Sequence, residues 1–460
     1  MLCSIRIPNG KSLEETRSVE IIDQLILPHE LKWCKVSNTN EAFEAIKSMK
    51  IRGAPAIGSI AALSIACELL NYLELTKTGN TNNENNPLEN TLKLQNYLEK
   101  TSQHLLSARP TAVNLREALL RVAQAFHKIH EQGGERDPKK ITEKLVAVCK
   151  AVWEEDLERN KKIGYNGARW LINKLGISDR PERKISMLTV CNTGSLATAG
   201  FGTALGVITA LHELGRLEHA YYMQTGPYMQ GARLTSLELQ TLKIPSTMVC
   251  DTAAGWLINS GRVDAFVAGA DRIASNGDTA NKISTYQISL MCRHAAPTSK
   301  SIPVLIAAPL TTFDLNMESG VEIVIEERPS IEACTVRGKV ISEPGSTSRS
   351  NEVATVLITP EGTQALNPAF DVTPNDLISG IVTELGVAER GHSSFDLREH
   401  AKGGSSHSTD GQSQAELQIA SQVQNLQAKY NATAAAYKDN TGHDLLQGGI
   451  EGREPVNPAK

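Results

Sequence analysis

Apolar positions along this chain change their spacing at about residue 185, and the change separates two kinds of structure. In residues 41–49, 57–73, 92–104, 114–131 and from 138 to 158 or beyond they recur at helical intervals. The stretch 57–73 is Ala-rich and apolar on most sides, the pattern of a helix buried all round. Ahead of these, the run Ile21-Ile22-Asp23-Gln24-Leu25-Ile26-Leu27 belongs to a short β-rich start. Residues 1–150 are therefore expected to form a mainly helical domain with a small β-sheet.

From 185 onward, short β-branched runs at 185–190, 220–223, 247–250, 263–268, 303–307 and 321–325 alternate with segments long enough for crossover helices. That alternation predicts an α/β domain over 151–395 built on a Rossmann-like, doubly wound parallel sheet. Such sheets bind ligands outside the carboxyl ends of their strands.

Two segments carry neither pattern. Residues 76–90 are rich in Asn and Thr, and residues 396–460 in Gly, Ser, His, Gln and Asn, too polar to bury the apolar area that ordering requires. The first is expected to be an exposed insertion loop and the second a disordered tail without a catalytic role.

Composition removes several function classes. A formal net charge of −4 over 460 residues offers no basic stripe for a phosphate backbone, which argues against nucleic acid as a partner. The eight cysteines are scattered singly, with no Cys-x-x-Cys pair and no His run at metal-ligand spacing, so reduced thiols and no metal or cofactor are expected. The start lacks a basic flank followed by an apolar run, and no stretch approaches the ~20 apolar residues of a membrane span. A cytoplasmic protein, with the nucleus also open to it, is the expectation.

Candidate chemistry lies at two strand ends. Cys191 follows the run 185–190 and precedes Asn192-Thr193-Gly194, where the free amides of a following helix would favour a thiolate or a bound anion. Asp271 follows Phe266-Val267-Ala268-Gly269-Ala270, an apolar strand end that would hold its carboxyl protonated toward neutral pH. Either residue alone has a plain alternative, a buried small side chain for Cys191 and a helix cap for Asp271. Asn281 and Lys282 end a loop at the start of an expected helix, where an amide and an ammonium suit a phosphate or sugar hydroxyls. Arg52 and Gly53, just ahead of Ala54-Pro55, could present an oxyanion site at another helix start. Arg109 again precedes a proline, and Gln230 opens a helix after the second strand.

Together these segments resemble the methylthioribose-1-phosphate isomerase family, which shares a superfamily with the regulatory subunits of the translation initiation guanine-nucleotide exchange factor. The matching pieces are Arg52-Gly53-Ala54-Pro55-Ala56, the stretch from Ala108 to Asn114, Cys191-Asn192-Thr193-Gly194, the stretch from Gln230 to Thr235, Gly269-Ala270-Asp271-Arg272-Ile273, the stretch from Gly277 to Lys282, and Asn367-Pro368-Ala369-Phe370-Asp371-Val372-Thr373-Pro374. They run in family order over roughly the first 390 residues. The resemblance implies an aldose-ketose isomerase of methionine salvage acting on a small sugar phosphate as a homodimer. It implies Asp271 as the proton donor, Cys191 as the group assisting hydrogen transfer, and Arg52, Gly53, Ala54, Arg109, Gln230, Asn281 and Lys282 as the substrate pocket. Members often carry an acidic residue, Thr and Arg before the proline where this chain has Gln224-Thr225-Gly226-Pro227. A non-enzymatic exchange-factor subunit and a ribose-1,5-bisphosphate isomerase are the alternatives within the superfamily.

Overall fold

A computed structural model describes residues 2–8, 11–78, 86–109, 112–294, 301–341, 349–391 and 394–403. Much of the 76–90 insertion, Pro110, Thr111 and the tail beyond 403 lie outside the described residues.

The N-terminal part pairs three short antiparallel strands, Ile5–Arg6, Val19–Ile22 and Trp33–Val36, with the helices Thr39–Lys47, Ala54–Lys77, Thr91–Ala108 and Val113–His127. Helix Ala54–Lys77 is the centre of this layer. It is long and apolar enough to cross a membrane by length and composition, yet 72% of its most apolar window is buried inside the protein. Ile57, Ile60, Leu63 and Ile65 on it pack with Ile21, Ile46, Leu115 and Leu145 in one core. Each such side chain fully withdrawn from water contributes ~1.5–3 kcal/mol before chain entropy is subtracted.

A 37-residue helix, Pro138–Lys174, runs from one core into the next. Its first half sends Ile141, Leu145 and Trp153 into the helical layer, and its second half sends Ile163, Leu171 and Ile172 against the large sheet.

That sheet has seven strands, numbered here β1 Ile185–Thr189, β2 Leu217–Met223, β3 Ser246–Val249, β4 Ala265–Ala268, β5 Val304–Ala307, β6 Gly380–Thr383 and β7 Gly386–Glu389. The spatial order is β3-β2-β1-β4-β5-β6-β7, parallel except for β7, which runs antiparallel to β6. β4 and β5 are buried along their whole length, as central strands covered on both faces must be. The chain leaves β1 toward β2 and β3, then returns across β1 to lay down β4. The strand order therefore reverses between β1 and β4, and that gap is where a doubly wound sheet opens a crevice for ligands.

Three sequence expectations change here. Residues 321–325 are not a sheet strand: Val321 and Val324 are 94% and 75% exposed, and a 3-10 turn, Gly320–Glu322, stands in the run. Its β-branched content reflects local propensity without a neighbouring strand to pair with. The sixth and seventh strands come later, at β6 and β7. Thr279–Lys282 is a strand and not a helix start, pairing with Arg272–Ala274 on one side and Phe370–Thr373 on the other, while the helix begins at Thr285. After Cys191 the chain makes only a 3-10 turn, Ser195–Ala197, and the first full helix starts at Ala204.

Candidate active site

Cys191 and Asp271 emerge from the two strands that flank the reversal, two residues past the end of β1 and three past the end of β4. Both line a solvent-open cleft of about 610 Å³ together with Arg52, Gly53, Arg109, Gln230 and Lys282. An adjoining cavity shares Arg52, Gly53, Cys191 and Asp271 and adds Ala54 and Asn281. The fold thus gathers all nine residues singled out in the sequence into one continuous site, drawn from both halves of the chain.

Cys191 adopts φ +67°, a left-handed conformation that residues with a side chain rarely hold without enforcement. Two buried threonines enforce it. The Cys191 amide donates to Thr225 Oγ1 at 2.8 Å, and its carbonyl accepts from Thr235 Oγ1 at 2.6 Å. Thr225 is itself fixed by Asp251, whose carboxylate accepts from the amides of Thr225 and Gly226 at 2.8 and 2.6 Å.

The amides expected to meet an anion or the thiol are occupied from within. Glu238, 2% exposed, accepts from the amides of Ser195 and Leu196 at 2.6 and 3.2 Å and from Asn192 Nδ2 at 2.8 Å. Burial pushes its carboxyl up, and these donors pull it back. Glu238→Ala should cost about 2–4 kcal/mol, because three buried donors lose their acceptor. Urea unfolding checks this, and an unchanged midpoint would show that the loop does not depend on the carboxylate.

Arg52 reaches the thiol across the seam between the N-terminal helical layer and the large sheet. Its Nη2 lies 3.5 Å from Cys191 Sγ and donates to the Asn192 carbonyl at 3.2 Å, while Nη1 is buried without a hydrogen-bond partner. Gly53 makes this approach possible: at φ +105° it seats the start of helix Ala54–Lys77 against the turn after Cys191. A Cβ added there would lie 2.3 Å from the Ala197 carbonyl oxygen.

Burial raises the Asp271 carboxyl, and the charges of Lys282, Arg109 and Arg52 offset this only in part. Lys282 moves the other way, lowered by burial against the opposing pull of Cys191 and Asp271. Its ammonium stands 4.9 Å from the centre of the Phe370 ring, a cation–π contact.

Arg109 donates through Nη2 to Glu326 at 2.8 Å, leaving Nε buried and unpartnered. Gln230 Oε1 is also buried and unpartnered. Arg328 extends the chain of charges, bonding Glu326 at 3.0 Å and also pairing with Glu332. Although burial pushes Glu326 up, Arg109 and Arg328 outweigh it and hold the carboxyl below the usual range.

Glu326, Arg328, Glu332, Glu238 and the two threonines escaped sequence reading. Their signals were a mixed-charge cluster, Glu326-Glu327-Arg328, directly after the apolar run 321–325, and, for the threonines, their places in the segments Gln224-Thr225-Gly226-Pro227 and Gln230 to Thr235.

A doubly wound sheet carrying its reactive groups at the β1/β4 reversal, closed by a helical N-terminal layer, defines the protein class, and comparison with known proteins agrees. The model of the Initiation factor 2 subunit family matches residues 50–390. The methylthioribose-1-phosphate isomerase of Postia placenta is 45% identical over 400 residues, covering 86% of this chain and 98% of that protein. That of Laccaria bicolor is 46% identical over 405 residues, with the same coverage. The crystal structure of 5-methylthioribose 1-phosphate isomerase from Pyrococcus horikoshii superposes with a TM-score of 0.67 at 33% identity, covering 88% of this chain and 96% of that one. The translation initiation factor eIF-2B subunit delta from A. fulgidus gives 0.61 at 31% identity, covering 85% and 96%. This chain belongs to the methylthioribose-1-phosphate isomerase family.

Proposed function

We propose that the protein converts 5-methylthioribose 1-phosphate to 5-methylthioribulose 1-phosphate, with Asp271 as general acid and Cys191 assisting the transfer of hydrogen from carbon 2 to carbon 1. One observation carries this reading. A thiol and a carboxyl share a cleft with four cationic side chains, Arg52, Arg109, Lys282 and Arg328, and among the residues lining it Arg52 Nη1, Arg109 Nε and Gln230 Oε1 are buried without partners. A phosphorylated, hydroxyl-bearing ligand offers acceptors to the two guanidinium groups and a donor to the amide oxygen.

The chemistry explains why these residue types are needed. The anomeric oxygen of a sugar 1-phosphate is esterified, so the ring cannot open spontaneously to an aldehyde. A protonated Asp271 gives its proton to the ring oxygen as the bond from carbon 1 to that oxygen breaks, and burial keeps that proton in place. The C2–H bond then supplies its hydrogen to carbon 1, directly as hydride or as a proton carried by Cys191 through an enediol, while the C2 hydroxyl gives its proton back to the Asp271 carboxylate as the C2=O bond forms. Oxidation at carbon 2 and reduction at carbon 1 balance, and no external electron acceptor is involved. The phosphate stays attached throughout, so Arg52, Arg109, Asn281 and Lys282 serve to hold and orient it.

Met49, Pro227, Tyr228, Pro368 and Phe370 line the same cleft and suit a methylthio group. A second phosphate in its place would require an available cation, whereas Arg328 is already paired with Glu326 and Glu332. The likeness to an eIF-2B subunit supports a purely structural reading, but that reading gives the three orphaned polar atoms no ligand.

The test is direct conversion. Purified protein mixed with 5-methylthioribose 1-phosphate should consume the anomeric proton signal and produce a ketone carbon by NMR; failure to do so at enzyme-level concentrations would remove the assignment. Substrate deuterated at carbon 2 in ordinary water then separates the two routes. Retained label at carbon 1 indicates hydride transfer or a shielded base, and washout an enediol open to solvent.

A further inference from the structure

The segment Asn367–Pro374 is prominent in the sequence, yet only Asn367, Pro368, Ala369 and Phe370 of it line the cleft. Asp371 does not, as expected for the residue that alternates with Phe370 on a strand. It lies on Phe370–Thr373, directly opposite Asn281 in the antiparallel pairing with Thr279–Lys282. Both of its carboxylate oxygens are engaged. Oδ2 accepts from the Ser284 amide at 2.7 Å and Oδ1 from the Tyr286 amide at 3.1 Å.

Ser284 has φ +88°, a conformation costly to any residue with a Cβ, and it lies two residues beyond Lys282. The turn it makes ends the site strand and begins helix Thr285–His294. Two further bonds tie that turn back to the site. Asn281 Nδ2 donates to Thr285 Oγ1 at 2.9 Å, and Thr285 Oγ1 donates to the Lys282 carbonyl at 2.7 Å. A shift of Ser284 out of its left-handed state would therefore displace Thr285, and with it Asn281 and Lys282. Burial raises the Asp371 carboxyl to about 6, against the pull of the Tyr286 and Ser284 amides and of Lys282.

We propose that Asp371 is a positioning residue for the isomerisation: its two amide bonds hold Ser284 in the left-handed turn and so set Asn281 and Lys282 for the substrate phosphate. The inference rests on the reading of Asn281 and Lys282 as phosphate-holding groups. Because the phosphate is not altered in the reaction, misplacing these groups weakens ground state and transition state alike, and the loss falls on KM.

The experiment is a double-mutant cycle on the full chain with 5-methylthioribose 1-phosphate. Asp371→Ala should raise KM about tenfold or more with kcat within about threefold, and Ser284→Gly alone should stay near wild type. In the double variant, glycine adopts the positive φ without help, and KM should return most of the way. A single variant with wild-type KM, or a double variant as impaired as the single, overturns the proposal. Should Asp371→Ala not fold, Asp371→Asn, which keeps one acceptor oxygen, replaces it in the same cycle with the same criteria. Amide exchange at Ser284 and Tyr286 reads the two bonds independently of turnover: faster exchange is expected in the Asp371 variant, and unchanged protection overturns the proposal. A wild-type protein inactive on this substrate would refute the functional reading alone, since the exchange result stands without it.

Discussion

Asp271→Asn should lower kcat about 10²- to 10⁴-fold with KM changed only a few fold, the pattern for a group that acts in the transition state. Asn matches the carboxyl in size and retains polar atoms in the cleft, so what it removes is the proton. Cys191→Ser should cause a loss of similar order, because the hydroxyl is a far weaker base than a thiolate and Arg52 Nη2 stands 3.5 Å from the sulfur it replaces. Steady-state kinetics on folded variants decide this; turnover within tenfold of wild type in both would remove these residues from the mechanism. The pH dependence carries a sign as well. Since burial raises the Asp271 carboxyl, kcat should fall as pH climbs through a titration above the ~3.9 of an ordinary aspartate. Stability follows the same group: the folded state binds this proton more tightly than the unfolded chain. Wild type should lose stability relative to Asp271→Asn as pH rises from ~3.9 to the folded value, with a constant gap beyond it.

The second large effect is structural. Gly53→Ala should cost about 2–4 kcal/mol and most of the activity. Two penalties combine there, a backbone at φ +105° and a Cβ placed 2.3 Å from the Ala197 carbonyl oxygen and 2.5 Å from its Cα. Neither neighbour is a flexible side chain tip, so the helix start and the Cys191 loop must move apart, carrying Arg52 away from the thiol. Gly176→Ala is the matched control, since Gly176 has φ +63° with nothing within 4 Å of the Cβ that alanine would add, and should cost only the ~1–2 kcal/mol of a left-handed residue. Denaturant unfolding of the two variants checks the difference, and equal costs would mean that the seam yields easily.

Much of the fold was legible because it is written in local pattern. The helices at Thr39–Lys47, Ala54–Lys77, Thr91–Ala108 and Val113–His127 follow their apolar spacing to within a few residues, and β1, β2, β3, β4 and β5 fall on their β-branched runs. Where reading failed, partners decided the outcome. The run 321–325 has strand composition but no edge to join, and Thr279–Lys282 is held as a strand between Arg272–Ala274 on one side and, on the other, Phe370–Thr373, about ninety residues later in the chain. Propensity cannot report a pairing of that separation.

The site divides along the same line. By itself the sequence determined the reactive types and their strand-end addresses: a thiol after β1, a carboxyl after β4, and arginines ahead of prolines, Arg52 three residues before Pro55 and Arg109 directly before Pro110. Those follow from the period of the flanking residues and from the edge at which parallel strands present their ligands. Only the tertiary structure decided what those groups are. It set Cys191 in a left-handed turn between two threonine hydroxyls, filled the neighbouring amides with Glu238, and tied Arg109 to Glu326. It also set Asp271, half-buried at the cleft, among cations that lower its carboxyl less than desolvation raises it. The physical reason is that hydrogen-bond reach, desolvation and charge act over a few ångströms of space, whereas these partners stand from about 30 to more than 200 residues apart along the chain.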